Sequence, residues 1–151
     1  MALNLADHQY AGDARSAFAF GGSGKGRINV DQDWAVANLT INSQQNIFKV
    51  AKAGWVSNFA IKTSVDMDPH ATPLLTWDVG TDTDDDEFIA AATSLLAYAG
   101  VTTNTASTGT ATEPNGFPVA AGDYIVVSVK AAATASGVAG TVSVAFDFVA
   151  K

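Results

Sequence analysis

The sequence predicts an all-β protein, an antiparallel β-sandwich or barrel with one short helix. About seven or eight short runs have strand character, turn signals recur between them, and the clearest runs alternate apolar and polar residues with a period of two. A chain of 151 residues is long enough for one domain with its own core. We interpret residues 1–16 as an N-terminal arm and residues 17–151 as a single β-sandwich domain.

The predicted strands of the first half differ in clarity. Strand-like fragments occupy 17–20, 28–30, 34–41 and 46–53, and the glycine-rich stretch 21–26 is expected to be a flexible loop. Residues 55–65 form a clearer strand, in which Trp55, Phe59, Ile61 and Val65 share one parity. A loop with two prolines follows at 66–73, and a strand at 74–79 places Leu75, Trp77 and Val79 on one face.

One helix is predicted, over residues 84–97. Four acidic residues, Asp84 to Glu87, precede Phe88, Ala91, Ala92 and Leu95, whose spacing of three and four residues makes one helical face. Residues 100–116 contain few large apolar side chains and are interpreted as a long loop, which in a compact domain is usually functional, mobile or part of an interface.

The last third of the chain contains the strongest strand patterns. In 124–131 every second residue is apolar and is expected to face inward: Ile125, Val127, Val129 and Ala131. In 141–149 the residues expected to face inward are Val142, Val144, Phe146 and Phe148. An Ala/Thr/Ser/Gly stretch joins the two runs. Their adjacency predicts an antiparallel hairpin with a fully apolar inner face.

Composition excludes several classes of function. A net charge of −7 disfavours binding to nucleic acid and to anionic membranes, since both carry negative charge. The absence of cysteine excludes disulfides, thiol catalysis and cysteine-ligated zinc. We find neither a signal peptide nor an apolar stretch of about 18 residues. Charged residues make up only 15% of the chain, which indicates that a partner covers part of the surface.

The acidic run is the sharpest cluster of candidate ligands. It comprises Asp78, Asp82, Asp84, Asp85, Asp86 and Glu87. Carboxylates suit calcium, but an EF-hand loop needs glycine at its sixth position and glutamate at its twelfth. Counted from Asp82, these positions hold Glu87 and Thr93. We therefore prefer acids that cap the predicted helix, and whether the run 78–87 binds calcium stays open.

Three other groups of residues are candidate sites. Lys25 lies in the glycine-rich stretch, but Ala19 and Gly26 break the phosphate-loop pattern. His8 and His70 lie in polar segments and are interpreted as solvated loop histidines. The tryptophans could form a sugar-stacking platform. Trp55 and Trp77 share parity with apolar neighbours, so core packing is the better interpretation for them, and for Trp34 both interpretations stay open. We assign no catalytic, cofactor-binding or metal residue and no cofactor, and expect no enzyme.

The order of segments carries a resemblance over roughly residues 46–149. A strand ends in Lys-Ala-Gly at 52–54, a later one runs into Asp78-Val79-Gly80, and Gly122-Asp123-Tyr124 opens a strand before Gly140-Thr141-Val142 opens the last. This succession resembles small virion proteins of tailed bacteriophages, of the capsid decoration or cement type. The resemblance implies a jelly-roll-like β-sandwich, a homotrimer on the outside of an assembled capsid.

In such a protein the partner is the major capsid protein, whose subunits it bridges, and neither nucleic acid nor membrane is bound. The resemblance further implies a protein made in the host cytoplasm and located on the capsid exterior. Two alternatives stay open from the sequence. One is a phage tail, adhesin or carbohydrate-binding sandwich, and the other is a small hydrolase or lyase that depends on His70 or the acids at 82–87.

Overall fold

A computed structural model describes residues 25–93, 102–103 and 116–151. Within them the chain forms nine β-strands and a single turn of 3-10 helix at Val36–Asn38. The strands are β1 (Lys25–Trp34), β2 (Gln44–Lys49), β3 (Gly54–Thr63), β4 (Thr76–Thr81), β5 (Ile89–Thr93), β6 (Thr102–Thr103), β7 (Phe117–Val119), β8 (Tyr124–Ala131) and β9 (Gly140–Ala150). None of the described helical residues forms a helix that is long and apolar enough to span a membrane.

The strands pair antiparallel in two sheets. The first sheet has the order β1-β9-β3-β6, with β7 also paired to β3, and the second has the order β2-β8-β4-β5. The first strand thus pairs with the last, and the second strand pairs with the last but one. This nesting of early and late strands is the connectivity of a jelly roll, a double-sheet sandwich found in viral capsid domains. The predicted fold class, an antiparallel β-sandwich, is confirmed.

The core lies between the inner faces of the two sheets and is rich in aromatic side chains. Phe59 of β3 stacks on Phe88, which precedes β5 in the other sheet, with ring centroids 4.4 Å apart. Phe146 of β9 stacks on the other side of Phe59 at 5.2 Å, and Phe48 of β2 meets Phe146 edge-on at 5.4 Å. These rings therefore join both sheets through one continuous set of contacts.

A β-bulge in β3 changes which residues face the core. The register against β9 shifts between Ser57 and Ala60, and Asn58 has a positive φ of 54°. The Asn58 side-chain amide donates a hydrogen bond to Asp147 Oδ2 at 2.7 Å, and Arg27 Nη1 donates to the Asn58 carbonyl oxygen at 2.7 Å. Because the bulge adds a residue to the strand, the residues before it alternate between the two faces in the opposite order from those after it. Val56 is therefore buried, while Trp55 is half-buried on the outer face.

The alternation predicted for 55–65 is consequently right for Phe59 and Ile61 only. Both are buried, whereas Val65 lies beyond the end of β3 and is exposed. Most other strand predictions of the described residues agree in position: β1 includes 28–30, β2 overlaps 46–53, and β4 overlaps 74–79 with Leu75, Trp77 and Val79 buried. The fragment 34–41 is wrong as a strand, because β1 ends at Trp34 and a 3-10 turn follows.

The predicted helix over 84–97 is wrong throughout its described part. Residues 84–88 form a turn region, and Ile89–Thr93 is strand β5. The cause lies in tertiary contacts: the Phe88 amide donates to the Val79 carbonyl at 2.9 Å, and its ring enters the aromatic core. Tertiary packing thus overrides a short helical spacing of apolar residues. Leu95, at the end of the predicted face, lies outside the described residues.

The predicted hairpin of 124–131 and 141–149 is also wrong, although both strands exist. β8 pairs with β2 and β4 in one sheet, and β9 pairs with β1 and β3 in the other. Each strand buries its predicted apolar face against the opposite sheet, so the connection 132–139 crosses between sheets. Two loop predictions are wrong where the structure describes them: Thr102–Thr103 of the predicted loop 100–116 form β6, and Lys25 and Gly26 of the predicted loop 21–26 begin β1. The arm 1–16, the fragment 17–20, residues 21–24 and the rest of the loop 100–116 except Gly116 lie outside the described residues.

The aromatic contacts predict a large effect of truncation at Phe59. We expect Phe59→Ala to lower the free energy of unfolding by about 3–5 kcal/mol, because it removes the ring between Phe88 and Phe146. The matched control is Leu74→Ala, whose side chain is exposed and whose loss should cost less than about 0.5 kcal/mol. Urea denaturation of both variants measures the difference, and equal losses would contradict this description of the core.

Candidate functional site

Three loops lie together at one end of the sandwich and form what we call the apolar end: residues 35–43, 64–75 and 132–139. They connect β1 to β2, β3 to β4 and β8 to β9, and the pairing of these strands brings the connections to the same end. All the large hydrophobic side chains that are exposed within the described residues belong to these loops. They are Val36, Ile41, Val65, Leu74 and Val138.

Backbone hydrogen bonds join the three loops. The Ala133 amide donates to the Leu39 carbonyl at 3.1 Å, and the Val138 amide donates to the Met67 carbonyl at 3.0 Å. Leu39 and Met67 are themselves buried beneath the loops. Loop 132–139 is therefore hydrogen-bonded through its backbone to both loop 35–43 and loop 64–75.

Asp68 is the central polar residue of this support and is fully buried. Its Oδ2 accepts hydrogen bonds from the amides of Leu74 and Leu75 at 2.8 and 3.1 Å, and its Oδ1 accepts from the amide and hydroxyl of Thr134. Burial raises the pKa of Asp68, but the hydrogen bonds from Thr134, Leu74 and Leu75 outweigh it, so the pKa is lowered from its usual range. The carboxylate thus fastens loop 64–75 to loop 132–139.

The opposite end of the sandwich carries acidic side chains, and we call it the acidic end: residues 50–53, 82–88 and 120–123. Here the turn after β4 folds back over the outer face of the second sheet. An added Cβ at Gly80 would lie 2.0 Å from the Asp84 carbonyl oxygen, so only glycine permits this approach. Ser128 of β8 donates from Oγ to Asp85 Oδ2 at 2.7 Å, which fixes the turn on the sheet.

Asp78 is the buried member of the predicted acidic run. Its Oδ1 accepts from the Ala91 amide at 2.7 Å, and Lys130 Nζ lies 3.8 Å from its Oδ2 and 3.9 Å from Asp86 Oδ2. Burial raises the pKa of Asp78. Burial also raises the pKa of Glu87, with a further contribution from the charge of Asp84.

The acidic run has two candidate roles from the sequence, helix capping and calcium binding. The helix-capping role is wrong, since residues 84–88 precede a strand. For calcium, the described residues contain no group of three or more histidine or carboxylate side chains that is placed to hold a metal ion. Calcium binding by this run therefore receives no support from the geometry. Two of the acids instead bind the neighbouring strand β8: Asp85 accepts from Ser128, and Asp82 accepts from the Tyr124 amide.

The other candidate residues do not form a site together. His70 Nδ1 accepts a hydrogen bond from the Thr72 amide at 3.1 Å, within its own loop. Trp34 and Trp77 are buried and meet edge-on at 4.9 Å, so only Trp55 is half-buried, beneath Lys151 Nζ at 4.8 Å. A platform of three tryptophans is thus not formed. His8 lies outside the described residues, and Lys25 begins β1.

A groove of about 380 Å³ runs along the outer face of the first sheet. Its lining combines polar residues with aliphatic ones: Arg27, Asn29, Asp31, Lys62 and Ser143, then Ala60, Ile61, Val144 and Ala145. No aromatic side chain is among the described residues that line this groove. Sugar-binding grooves commonly present aromatic rings for stacking, so the groove offers no support for the carbohydrate-binding alternative.

Comparison with known proteins identifies the fold. No protein-family profile and no curated protein matches the chain. A solved structure described as the cyanophage Pam1 capsid asymmetric unit contains a chain that superposes with a TM-score of 0.62 and 19% identity, covering 84% of this chain and 85% of that one. The chain shares that fold. A second match, at 14% identity and a TM-score of 0.53, is to the acidic stable capsid structure of Helicobacter pylori bacteriophage KHP30, covering 84% and 94%.

Sequence reasoning missed the apolar end entirely. Ile41 and Leu74 were placed in predicted strands, where apolar residues are expected to be buried, and Asp68 was placed in a plain loop. The signal that could have drawn attention to it is that loops 35–43 and 132–139 contain no charged residue.

The hydrogen bonds of Asp68 predict a specific pH dependence. We expect Asp68→Asn to lower the free energy of unfolding at pH 7 by roughly 2–3 kcal/mol, because an amide nitrogen cannot accept from the Leu74 and Leu75 amides. Since the folded-state pKa is lowered, the stabilisation is present above the usual carboxyl pKa of about 3.9 and is lost as pH falls through the folded-state value.

Urea denaturation of this variant from pH 3 to pH 8 measures the effect. The difference from wild type should be constant at neutral pH and shrink below about pH 4. The exposed Asp31→Asn is the control and should change stability by less than about 0.5 kcal/mol. A difference that grows as pH falls would contradict the role given to Asp68.

The pair of Asp78 and Lys130 predicts a pH dependence of opposite sign. Lys130→Met leaves a buried carboxylate without its cation, so we expect a loss of about 0.5–1 kcal/mol at pH 8. Because the folded-state pKa of Asp78 is raised, its ionisation costs stability once the pH rises above about 3.9, and Lys130 offsets part of this cost. Near pH 3 Asp78 is protonated, so the stability lost in Lys130→Met should vanish there.

Two variants control that measurement. Lys62→Met removes another exposed cation, from the outer face of β3, and should show no such pH dependence. Adding Asp78→Asn to Lys130→Met should reduce the pH dependence of the loss, with only the contact of Lys130 with Asp86 left to contribute. If Lys130→Met cost the same at pH 3 and pH 8, Lys130 would not serve as the counter-charge of Asp78.

Proposed function

We propose that the protein is a structural component of a bacteriophage capsid, of the decoration or cement type. It binds the outside of the assembled shell and bridges neighbouring major capsid protein subunits. The observation that carries this proposal is the fold match over most of the chain, at a TM-score of 0.62, to a chain of a cyanophage capsid asymmetric unit. A second phage capsid structure contains the same fold.

The lengths of the matched chains support an accessory role. Because 84% of this chain corresponds to 85% of the cyanophage chain, the two chains have nearly the same length. The chain from the Helicobacter pylori phage is somewhat shorter, since 94% of it is covered. The match therefore concerns a small chain that consists of little beyond one sandwich.

The physical mechanism of such a protein is linkage between binding and assembly. A protein that binds the assembled shell and not the separate subunits stabilises the shell by mass action. A homotrimer at a symmetry axis adds multivalency, because three sandwiches engage neighbouring subunits at once. In this proposal the protein is made in the host cytoplasm, is located on the capsid exterior and catalyses no reaction.

The proposal includes two segments that lie mostly outside the described residues. Residues 1–16 act as an arm attached to the single domain 17–151, and the arm and loop 100–116 contribute to the interface. Both segments lack an apolar period of their own in the sequence, and segments of that kind commonly order on binding.

A sedimentation assay tests the proposed function. Purified protein is mixed with shells assembled from the major capsid protein of the phage whose genome encodes this chain. We expect saturable co-sedimentation with expanded shells, a rise in the temperature at which the shells dissociate, and no binding to unassembled subunits. Light scattering on the free protein should give the mass of a trimer. Failure to bind expanded shells, with the protein folded, would contradict the proposal.

A further inference from the structure

We propose that the turn after β4, residues 82–87, is a proton-dependent cover on the outer face of the second sheet. The turn is closed when carboxyl groups beneath it and within it are protonated, and it opens as they ionise. This property belongs to the free protein and is independent of a role in a capsid. It follows from the buried carboxyl group under the turn, the acidic side chains around it and the hydrogen bonds that hold the turn in place.

The turn lies on the sheet above Asp78. The backbone of Asp84 and Asp85 approaches Gly80 so closely that a Cβ at this glycine would collide with it. Residues two apart on a strand face the same side, so Asp78 shares this outer face with Gly80. The Asp78 side chain is only 1% exposed, although it faces away from the aromatic core. The turn therefore covers this part of the sheet, and opening it would bring water to Asp78.

One oxygen of Asp78 is held, and the other has no hydrogen-bond partner. Oδ1 accepts from the Ala91 amide at 2.7 Å, and Ala91 has a positive φ of 54°, which costs free energy in a residue other than glycine. Oδ2 is buried without a hydrogen bond, since Lys130 Nζ stays 3.8 Å away. An ionised carboxylate here lacks the hydrogen bonds that water would give it. A proton on Oδ2 removes that charge and stabilises the closed turn.

The charges that face Asp78 come from the turn and from β8. Burial raises the pKa of Asp78, and the charges of Asp85 and Asp86 raise it further, whereas the Ala91 amide and Lys130 lower it. Lys130 Nζ lies at similar distances from Asp78 Oδ2 and Asp86 Oδ2, 3.8 and 3.9 Å, so one exposed cation serves two carboxylates. The closed turn therefore carries uncompensated negative charge once these groups ionise.

Within the turn, the acidic side chains also face one another. A hydrogen bond between the carboxyl groups of Asp84 and Asp86 raises the pKa of Asp84. Because ionised carboxylates are acceptors only, this bond requires a proton on one of the two. Burial raises the pKa of Glu87, as do the charges of Asp84 and, from the loop 120–123, Asp123. Protons thus stabilise the closed turn at more than one carboxyl group.

The opening is confined to the turn, because the core holds its far end. The ring of Phe88 stacks on Phe59 between the sheets. The segment before it is attached to β8 by polar contacts: the Asp82 amide donates to the Tyr124 carbonyl at 3.0 Å, and Ser128 Oγ donates to Asp85 Oδ2 at 2.7 Å. Breaking these contacts opens the turn without separating the two sheets.

Amide hydrogen exchange followed by NMR between pH 4 and pH 8 tests the proposal. Each rate is divided by the rate of an unstructured chain at the same pH, which gives a protection factor. The reporters are the Thr81 and Asp82 amides, which donate to the carbonyls of Asp84 and Tyr124. We expect their protection factors to fall at least about threefold from pH 4 to pH 8, because the closed turn binds more protons than the open one.

The control amides lie at the apolar end. Ala133 and Val138 donate to loop carbonyls there, and their protection factors should not change over the same pH range. If these amides lost protection together with Thr81 and Asp82, the whole fold would be opening, and the proposal of a local cover would be overturned.

Asp78→Asn tests the buried carboxyl group. Asparagine keeps an oxygen for the Ala91 amide but does not titrate, so the pH-dependent change at Thr81 and Asp82 should shrink to less than about half of that in wild type. The matched control is Asp31→Asn, at an exposed position of β1, which should retain the wild-type change. An undiminished change in Asp78→Asn would overturn the proposal.

Lys130→Met supplies a second test at a position where the fold should be retained, because the Lys130 side chain is 56% exposed. At pH 8 the reporter amides should be at least about twofold less protected than in wild type, and at pH 4 they should be equally protected. Lys62→Met, at an exposed position of β3, is the control and should match wild type at both pH values. Protection that is equal at pH 4 and pH 8 in the wild type, or an effect of Lys130→Met that is the same at both, would overturn the proposal.

Discussion

The aromatic contact between the two sheets is the interaction on which the other features depend. Phe59 lies between Phe88 and Phe146, so one ring joins β3 and β9 of the first sheet to the strand that follows Phe88 in the second. The chain has no cysteine and therefore no disulfide to supplement this core. With folding supported by the inner faces, the loops at the two ends need not contribute the same chemistry, and one end is apolar while the other is acidic.

Local patterns in the sequence predict individual strands better than they predict their partners. The alternation of Val142, Val144 and Phe146 identifies β9 and its buried face correctly, because a period of two reports which side of a strand is covered. The partner of β9 cannot be read in this way. Its pairing with β1 joins Lys25 to Val149, and residues so far apart in sequence leave no local signal. The prediction that the adjacent strand β8 pairs with β9 is therefore wrong.

The errors around the candidate site have the same origin. Residues 84–88 carry a helical spacing, yet the contacts of Phe88 with the core and of Asp85 with Ser128 hold them as a turn on the sheet. Exposure is equally invisible in the sequence: Ile41 and Leu74 have the composition of strand residues and lie in loops. Asp68 stands in a loop rich in acids and prolines, and only the fold brings Thr134 to its carboxylate.

The proposed function places the sandwich on the outside of an assembled capsid. Cryo-electron microscopy of expanded shells saturated with the protein tests this most directly. The account predicts jelly-roll density on the outer surface, around symmetry axes. Density inside the shell, or shells without added density when the folded protein is in excess, would contradict it.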